Sequence, residues 1–262
     1  GIMGVGVVGG ALKKWFESEG HAVFSYDVPK NLGTKESVNN ANIIFVAVPT
    51  PHDPATDAFD SSYVEDSFKN ISGSKIVVIR STVIPGTTER MQNLYPQHKV
   101  LFSPEFLTQA RADQDIFDEK LSIVGYTARS QDVAGHILHL LPDASFRRSM
   151  QSREAEIFKY IRNNFFSTKV VFFNLIYDLC EKLGADYKVI RHCLAADPWI
   201  GSQHTDVWHG DYRGYGGKCL PKDIRSMISF ARSIGLPHPI LELTEELNNN
   251  LLRQQGLDGK VL

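Results

Sequence analysis

Reactive side chains concentrate in the stretch GYGGKCLPKD, residues 214–223. A cysteine attacks carbon only as its thiolate, and nearby cations or a helix N-terminus lower its pKa. Lys218 and Lys222 flank Cys219, and Pro221 suits the first turn of a helix that begins there. Gly214, Gly216 and Gly217 strip side chains from the preceding turn, so its backbone N–H groups can meet a phosphate or a developing oxyanion. Lys222 and Asp223 add a proton donor and an acceptor. Composition and spacing leave two readings of Cys219 standing. It is an activated nucleophile, or it is the buried, inert thiol that most free cysteines are.

A second stretch with chemistry in it opens the chain. GVGVVG supplies Gly4, Gly6 and Gly9 as GxGxxG between an apolar strand and a helix entered through Val7 and Val8. Such glycines allow a tight turn and a close backbone approach to pyrophosphate at a helix N-terminus. Asp27 closes the next strand, where a carboxylate accepts hydrogen bonds from a ribose diol and repels a 2′-phosphate, so NAD is expected rather than NADP. The alternative is a glycine turn chosen only for close helix–strand packing. VPTP, residues 48–51, and STVIPGTT, residues 81–88, follow two further strands at the carboxyl edge, where open α/β sheets bind ligands. They add Val48, Pro49, Thr50, Ser81 and Thr82 to the cofactor candidates, although Pro and Thr also serve turn chemistry alone.

These groups need a scaffold, and the apolar pattern predicts one. In residues 1–150, β-like runs (HAVFSYD, NIIFVAV, KIVVIRS, KVLFSP and LSIVG) alternate with helical stretches. Continuous apolar strands joined by crossovers predict a Rossmann-like doubly wound parallel sheet binding NAD. Residues 151–262 change character and predict an all-helical domain carrying Cys219. A proline-free run from Ser152 to a stop at Gly184 reads as one central helix of roughly thirty residues, well beyond the usual length. Shorter helices follow at DYKVIRHCLAA, from Pro221 and from about Pro239, with a Gly-, His- and aromatic-rich loop over 197–220. So much apolar helix is hard to cover within one small domain, and a homodimer through the long helix is expected.

Composition narrows the function class. A net charge of −2 and 22% charged residues give no electrostatic reason for nucleic acid or an anionic membrane as partner. There is no apolar run of membrane-spanning length and no leader pattern. Three cysteines, Cys180, Cys193 and Cys219, lack CxxC spacing, which predicts no disulfide framework and a reducing, cytoplasmic setting. His136 and His139 in HILHLLPD read as a surface helix, and no metal is expected there or at His192, His204 and His209.

GYGGKCLPKD resembles the active-site cysteine motif of the UDP-glucose/GDP-mannose dehydrogenase family. GVGVVG, VPTP, STVIPGTT, SPEFL and EAEIFKYIRNNFF follow in that family's order over nearly the whole chain. The resemblance implies oxidation of the C6 alcohol of a nucleotide sugar, above all UDP-glucose, to the uronic acid with two NAD per turnover. Cys219 would add to the aldehyde as a thiohemiacetal, and a second hydride transfer would give a thioester for water to cleave. Lys222 would stabilise the oxyanion, Asp223 would hold water, Glu105 would act as base and Thr82 would position the water. Lys159 and Asn163, four apart on one helix face, would grip the sugar. Phe106, Leu107, Tyr212 and Gly216 would complete the substrate contacts. Blander roles remain for two of these groups: Glu105 as a helix-entry acid, and Lys159 on a solvated face with Arg162.

The chain departs from the family's pattern in three places. Gln109 stands where a second glutamate is usual, and Trp199 stands where an arginine often reaches the neighbouring subunit's sugar. The chain stops at Leu262, where the family usually continues into a C-terminal α/β domain that binds the base, so that domain is expected to be lacking. Two other functions fit parts of the pattern. One is a two-electron hydroxyacid-type dehydrogenase, which leaves the cysteine motif unexplained; the other is an inactive NAD-binding or dimerisation module.

Overall fold

The computed structural model describes residues 1–107 and 111–257. These form two compact units. One comprises Gly1–Pro51 and Phe59–Lys159, the other His52–Ala58 and Tyr160–Leu262.

The first unit is a doubly wound α/β layer. In chain order it contains β1 (Ile2–Met3), α1 (Val7–Ser18), β2 (Ser25–Tyr26), α2 (Lys35–Val38) and β3 (Ile43–Val46). The short pair β4 (His52–Asp53) and β5 (Ala58–Phe59) interrupts the sequence. It resumes with α3 (Ser62–Lys69), β6 (Ile76–Ile79), α4 (Thr87–Leu94), β7 (Lys99–Phe102), α5 (Ala112–Asp115), β8 (Leu121–Tyr126), α6 (Gln131–Leu140) and β9 (Phe146–Gln151). Seven strands make one sheet in the order β2-β1-β3-β6-β7-β8-β9. Alternate residues of each central strand enter different cores. Ile44, Val46, Val77 and Ile79 join one cluster, whereas Phe45, Val78 and Leu101 join another with Leu12, Phe16 and Ile137. Burial on both faces is why these strands read as unbroken apolar runs.

Three features differ from the sequence expectation. β8 runs antiparallel to β7, and the sheet gains an edge strand, β9, parallel to β8. The residues of β9, FRRSMQ, are mostly exposed, because an edge strand at the sheet's margin buries little and carries no apolar signature. The strand expected over HAVFSYD is only the two residues of β2.

The second unit is mainly helical. It contains most of α7 (Ser152–Leu183), then α8 (Tyr187–Ala196), α9 (Leu220–Ser233) and α10 (Pro239–Gln254). The long helix spans 32 residues and ends at Gly184, whose φ of 67° is the left-handed stop that glycine tolerates best. The unit is not purely helical. An antiparallel pair, β10 (Trp208–His209) and β11 (Tyr212–Arg213), lies inside the expected loop.

Within the first unit, the start of α7 is locked to the sheet. A Cβ on Gly125 of β8 would stand 2.8 Å from Ser152 Cα, so only glycine admits the helix there. One turn on, the buried Glu156 carboxylate accepts hydrogen bonds from Gly86 N–H (2.6 Å), Thr88 N–H (2.8 Å) and Thr88 Oγ1 (2.6 Å). It thereby caps the N-terminus of α4 from outside that helix. Replacing Glu156 by alanine strands two buried donors and one half-buried donor, and urea denaturation is expected to register a loss of about 2–4 kcal/mol.

Candidate functional site

In the first unit the candidate residues gather at the carboxyl ends of the parallel strands β1, β3, β6 and β7. The sheet order reverses between β1 and β3, the position at which doubly wound sheets bind ligands. The three glycines of the first turn are required for three different reasons. Gly4 has φ +85°, and a Cβ on Gly9 would lie 1.9 Å from Gly4 O. A Cβ on Gly6 would meet nothing within 4 Å. Packing therefore accounts for Gly9 and turn geometry for Gly4, but neither accounts for Gly6. Open space at the N-cap of α1 is what a pyrophosphate approach requires.

Asp27 accepts from Val5 N–H through Oδ2 (2.6 Å) and from Lys30 N–H through Oδ1 (2.9 Å), which leaves each oxygen a lone pair for a ribose hydroxyl. Lys30, which the motif reading missed, donates to Val5 O (2.6 Å) and shares with Val5, Gly6, Val7 and Gly10 the wall of a cleft of about 620 Å³. That volume lies within the usual range for small-ligand sites. Val7 and Val8 begin α1 as expected, with Val7 exposed. The residues present fit a bound dinucleotide. The two turns further along the edge are tied together. Thr50 Oγ1 donates to Thr82 O (2.7 Å), and Ser81 Oγ donates to Val48 O (2.7 Å), with Pro49 exposed between them.

Beyond β7 lies a network of buried charge. Lys159 donates both to Glu105 O (2.7 Å) and to Glu105 Oε1 (2.9 Å), while Glu105 Oε2 accepts from Leu107 N–H (2.9 Å). The Lys159 ammonium also stands 5.7 Å from the Phe106 ring centre. Burial pushes the Glu105 carboxyl upward. The charge and hydrogen bond of Lys159, then Leu107 N–H and Arg80, outweigh it and hold Glu105 below the usual carboxyl range. Glu105 is thus an ionised acceptor, the state a general base needs. Neither blander role fits here: Lys159 is buried, and Glu105 is ion-paired.

Two residues without a sequence signature complete this network. Arg80 is fully buried at the end of β6 and donates to Ser103 Oγ (2.8 Å) and Pro104 O (3.3 Å), which pins the turn that carries Glu105. Glu119 lies 3.9 Å from Arg80, too far for a direct hydrogen bond. The charge that breaks the apolar run KIVVIRS was the available clue to Arg80.

In the second unit α7 and α9 bring Asn163, Asp223 and Lys222 together. Asn163 Nδ2 donates to Asp223 Oδ2 (2.6 Å), and Lys222 Nζ pairs with Asp223 Oδ1. Asp223 is 1% exposed, a carboxylate buried only because both oxygens are answered. Cys219 is the N-cap residue of α9, one turn before Asp223, and is exposed, as is Cys193, whereas Cys180 is buried. The buried, inert reading of Cys219 therefore fails on burial. Gly214 and Gly217 of the preceding loop have φ of +96° and +75°, while Tyr212 in β11 and Gly216 are half-buried. Trp199 is 94% exposed, and Gln109 lies outside the described residues.

A pH dependence follows from Glu119. Burial pushes its carboxyl up to about 7, with Arg80 opposing the shift and Glu105 adding to it. A carboxyl that holds its proton more tightly when folded contributes stability that is complete below its unfolded pKa and is lost as pH rises through about 7. Denaturant titrations between pH 5 and 8 are expected to show the unaltered chain losing stability relative to Glu119→Gln as pH rises, with the slopes of the two converging above about 7. An unchanged slope in that variant would mean that Glu119 ionises normally.

The model of the UDP-glucose/GDP-mannose dehydrogenase family, NAD binding domain, matches residues 29–140, and that of the same family's central domain matches residues 153–250. UDP-glucose 6-dehydrogenase of Pseudomonas aeruginosa is 34% identical over 81% of this chain and 49% of its own length. UDP-glucose 6-dehydrogenase TuaD of Bacillus subtilis is 30% identical over 86% of this chain and 49% of its own. The solved structure of a UDP-glucose dehydrogenase from Pyrobaculum islandicum superposes with a TM-score of 0.85 at 28% identity, covering 99% of this chain and 70% of that one. The chain spans about half the length of these curated relatives. With two consecutive domain models matched in order across both units, the chain belongs to the UDP-glucose/GDP-mannose dehydrogenase family.

Proposed function

We propose that the chain carries the oxidising half of an NAD-dependent nucleotide-sugar 6-dehydrogenase, with UDP-glucose as substrate and Cys219 as covalent nucleophile. The observation that carries this reading is an exposed cysteine at the N-cap of α9, in a family member whose Asn163, Lys222 and Asp223 are held together by buried hydrogen bonds. The first N–H groups of a helix favour the thiolate over the thiol.

Bound NAD supplies the hydride acceptor; the turn of Gly4, Gly6, Val7, Val8 and Gly9, with Asp27, Val48, Pro49, Thr50, Ser81 and Thr82, would hold it. Glu105 takes the C6 hydroxyl proton as the alcohol becomes an aldehyde. Cys219 Sγ then bonds to C6, and Lys222 and Asn163 stabilise the alkoxide oxygen of the thiohemiacetal. Loss of a second hydride leaves a thioester on Cys219. Once Glu105 has passed the C6 hydroxyl proton to solvent, water held by Thr82 and Asp223 would attack the thioester, Glu105 would accept a proton from it, and the C–S bond would break to return the Cys219 thiolate and release the acid. Alcohol, water and two oxidised dinucleotides give acid, two reduced dinucleotides and two protons. Lys159, Phe106, Leu107, Tyr212 and Gly216 are proposed as sugar contacts. The covalent bond retains the half-oxidised sugar between the two oxidations.

The purified chain with UDP-glucose is expected to form two NADH per uronic acid released. Cys219→Ser is expected to lower acid release by about a thousandfold or more, the scale on which loss of a covalent nucleophile acts. Acid formation near the original rate in that variant would sink the covalent scheme, and a single NADH per turnover would make the enzyme a two-electron dehydrogenase.

The partner of the second unit is proposed to be another copy of the chain. Ile161, Phe165, Phe172, Leu175, Leu179 and Leu183 are exposed on α7. At 3.6 residues per turn they fall within an arc of about 80°, one continuous apolar stripe. Phe165→Glu combined with Leu179→Glu is expected to halve the mass seen by sedimentation velocity.

A further inference from the structure

The loop that leads to Cys219 is registered from outside, by one face of α10. Arg213 N–H donates to Gln255 Oε1 (2.8 Å), and Gln255 Nε2 donates back to Arg213 O (3.0 Å). Two residues on, Tyr215 N–H donates to Asn248 Oδ1 (2.8 Å), and Asn248 Nδ2 donates back to Tyr215 O (3.0 Å). Each amide thus answers both backbone groups of one loop residue, on either side of the bend at Gly214.

The same helix face fixes the side chain between them. Tyr215 Oη donates to Glu245 Oε2 (2.6 Å), and Arg225 of α9 holds the other oxygen of Glu245 (2.6 Å). Glu245, Asn248 and Leu252 of α10 and its C-cap residue Gln255 follow one another at intervals of three and four, the spacing of a single helix face. From the other side, Arg213 donates to Asn174 Oδ1 (3.0 Å) and pairs with Asp178 of α7 (2.7 Å). Gly214 is squeezed between the two amide pairs. A Cβ there would stand 2.7 Å from Asn248 Oδ1, at a φ of +96° that disfavours any side chain.

We propose that Asn248 and Gln255 are positioning residues for Cys219: their paired amides set the register of residues 212–217 and thereby the place where α9 begins. Neither residue is assigned contact with substrate or cofactor. The proposal rests on the covalent reading of Cys219 given above, and its test separates the two.

Gln255→Met keeps the side-chain volume at a half-exposed position and removes both hydrogen bonds to Arg213. Asn248→Leu does the same at the buried position facing Tyr215. The alkylation rate of Cys219, divided by that of the exposed Cys193 in the same molecule, is read by mass spectrometry. Hydrogen exchange of a peptide covering 212–219 and the kcat for UDP-glucose oxidation are read alongside. We expect each variant to lower the Cys219 to Cys193 ratio about fivefold to tenfold and to lose protection in 212–219 with α7 still protected. We also expect kcat to fall about tenfold with an unchanged KM for NAD. A ratio and a kcat at the original values, even with a lower Tm, would show that the amides serve folding alone and would overturn the proposal. If the unaltered chain makes no NADH from UDP-glucose, the dehydrogenase reading fails, and the labelling and exchange results still decide whether the clamp sets the thiol.

Discussion

Buried charge is the constraint around which both units are organised, because a carboxylate or ammonium leaves water only if another group in the protein answers it. One helix supplies two of those answers and itself needs a third. Glu156, Lys159 and Asn163 stand at i, i+3 and i+7 on α7, hence on one face. Glu156 takes the N–H groups at the start of α4, Lys159 takes the carboxylate and backbone of Glu105, and Asn163 takes Asp223. The length of α7 is therefore more than a packing choice. A helix of ordinary length starting at Ser152 would end before it could both meet these three partners and offer an apolar stripe further on.

The same constraint orders the surroundings of Glu105. Lys159 alone would leave the turn before Glu105 free to move. Arg80, closing β6, fastens that turn through Ser103 and Pro104, and Glu119 sits behind Arg80 as its nearest counter-charge. Because Glu119 lies 3.9 Å away and takes up a proton near neutral pH, the guanidinium is only partly compensated from that side. More of the Arg80 field then reaches Glu105, where it joins Lys159 in favouring the ionised form. Two acids within one network are thus driven in opposite directions, one kept charged and the other inclined to neutrality, by the partner each faces.

The sequence made the periodic and punctuated features legible. The strands of the central sheet, the limits of α7 and the glycine turn follow from apolar spacing and from glycines whose conformations the fold demands. The features that were not legible carry weak local signals. β9 is an edge strand of polar residues, and β10 with β11 is a ribbon of two residues a side within a loop rich in glycine. Arg80 stood in view as a charge ending an apolar run, but its function depends on Ser103, Pro104 and Glu119, which only the folded sheet brings beside it. Asn248 and Gln255 were less visible still, since asparagine and glutamine on a helix read as solvated surface. Their partners are backbone atoms more than thirty residues earlier in the chain.

Charged groups hold the loop's side chains, Glu245 at Tyr215 and Asp178 at Arg213, but amides hold its backbone, and that division has a physical reason. A segment containing Gly214, Gly216 and Gly217 gives up more conformational entropy on ordering than any other composition would, so it cannot fix its own shape. A β-strand partner would supply the missing hydrogen bonds, but it would also cover the loop edge along its whole length. Side-chain amides have the same donor and acceptor pair as a peptide group and deliver it at two points only. They are also neutral. A lysine or an ionised glutamate in the same positions could answer only one of the two backbone groups, since the first only donates and the second only accepts. Asn248 and Gln255 thus answer a donor and an acceptor each and add no further charge to the loop.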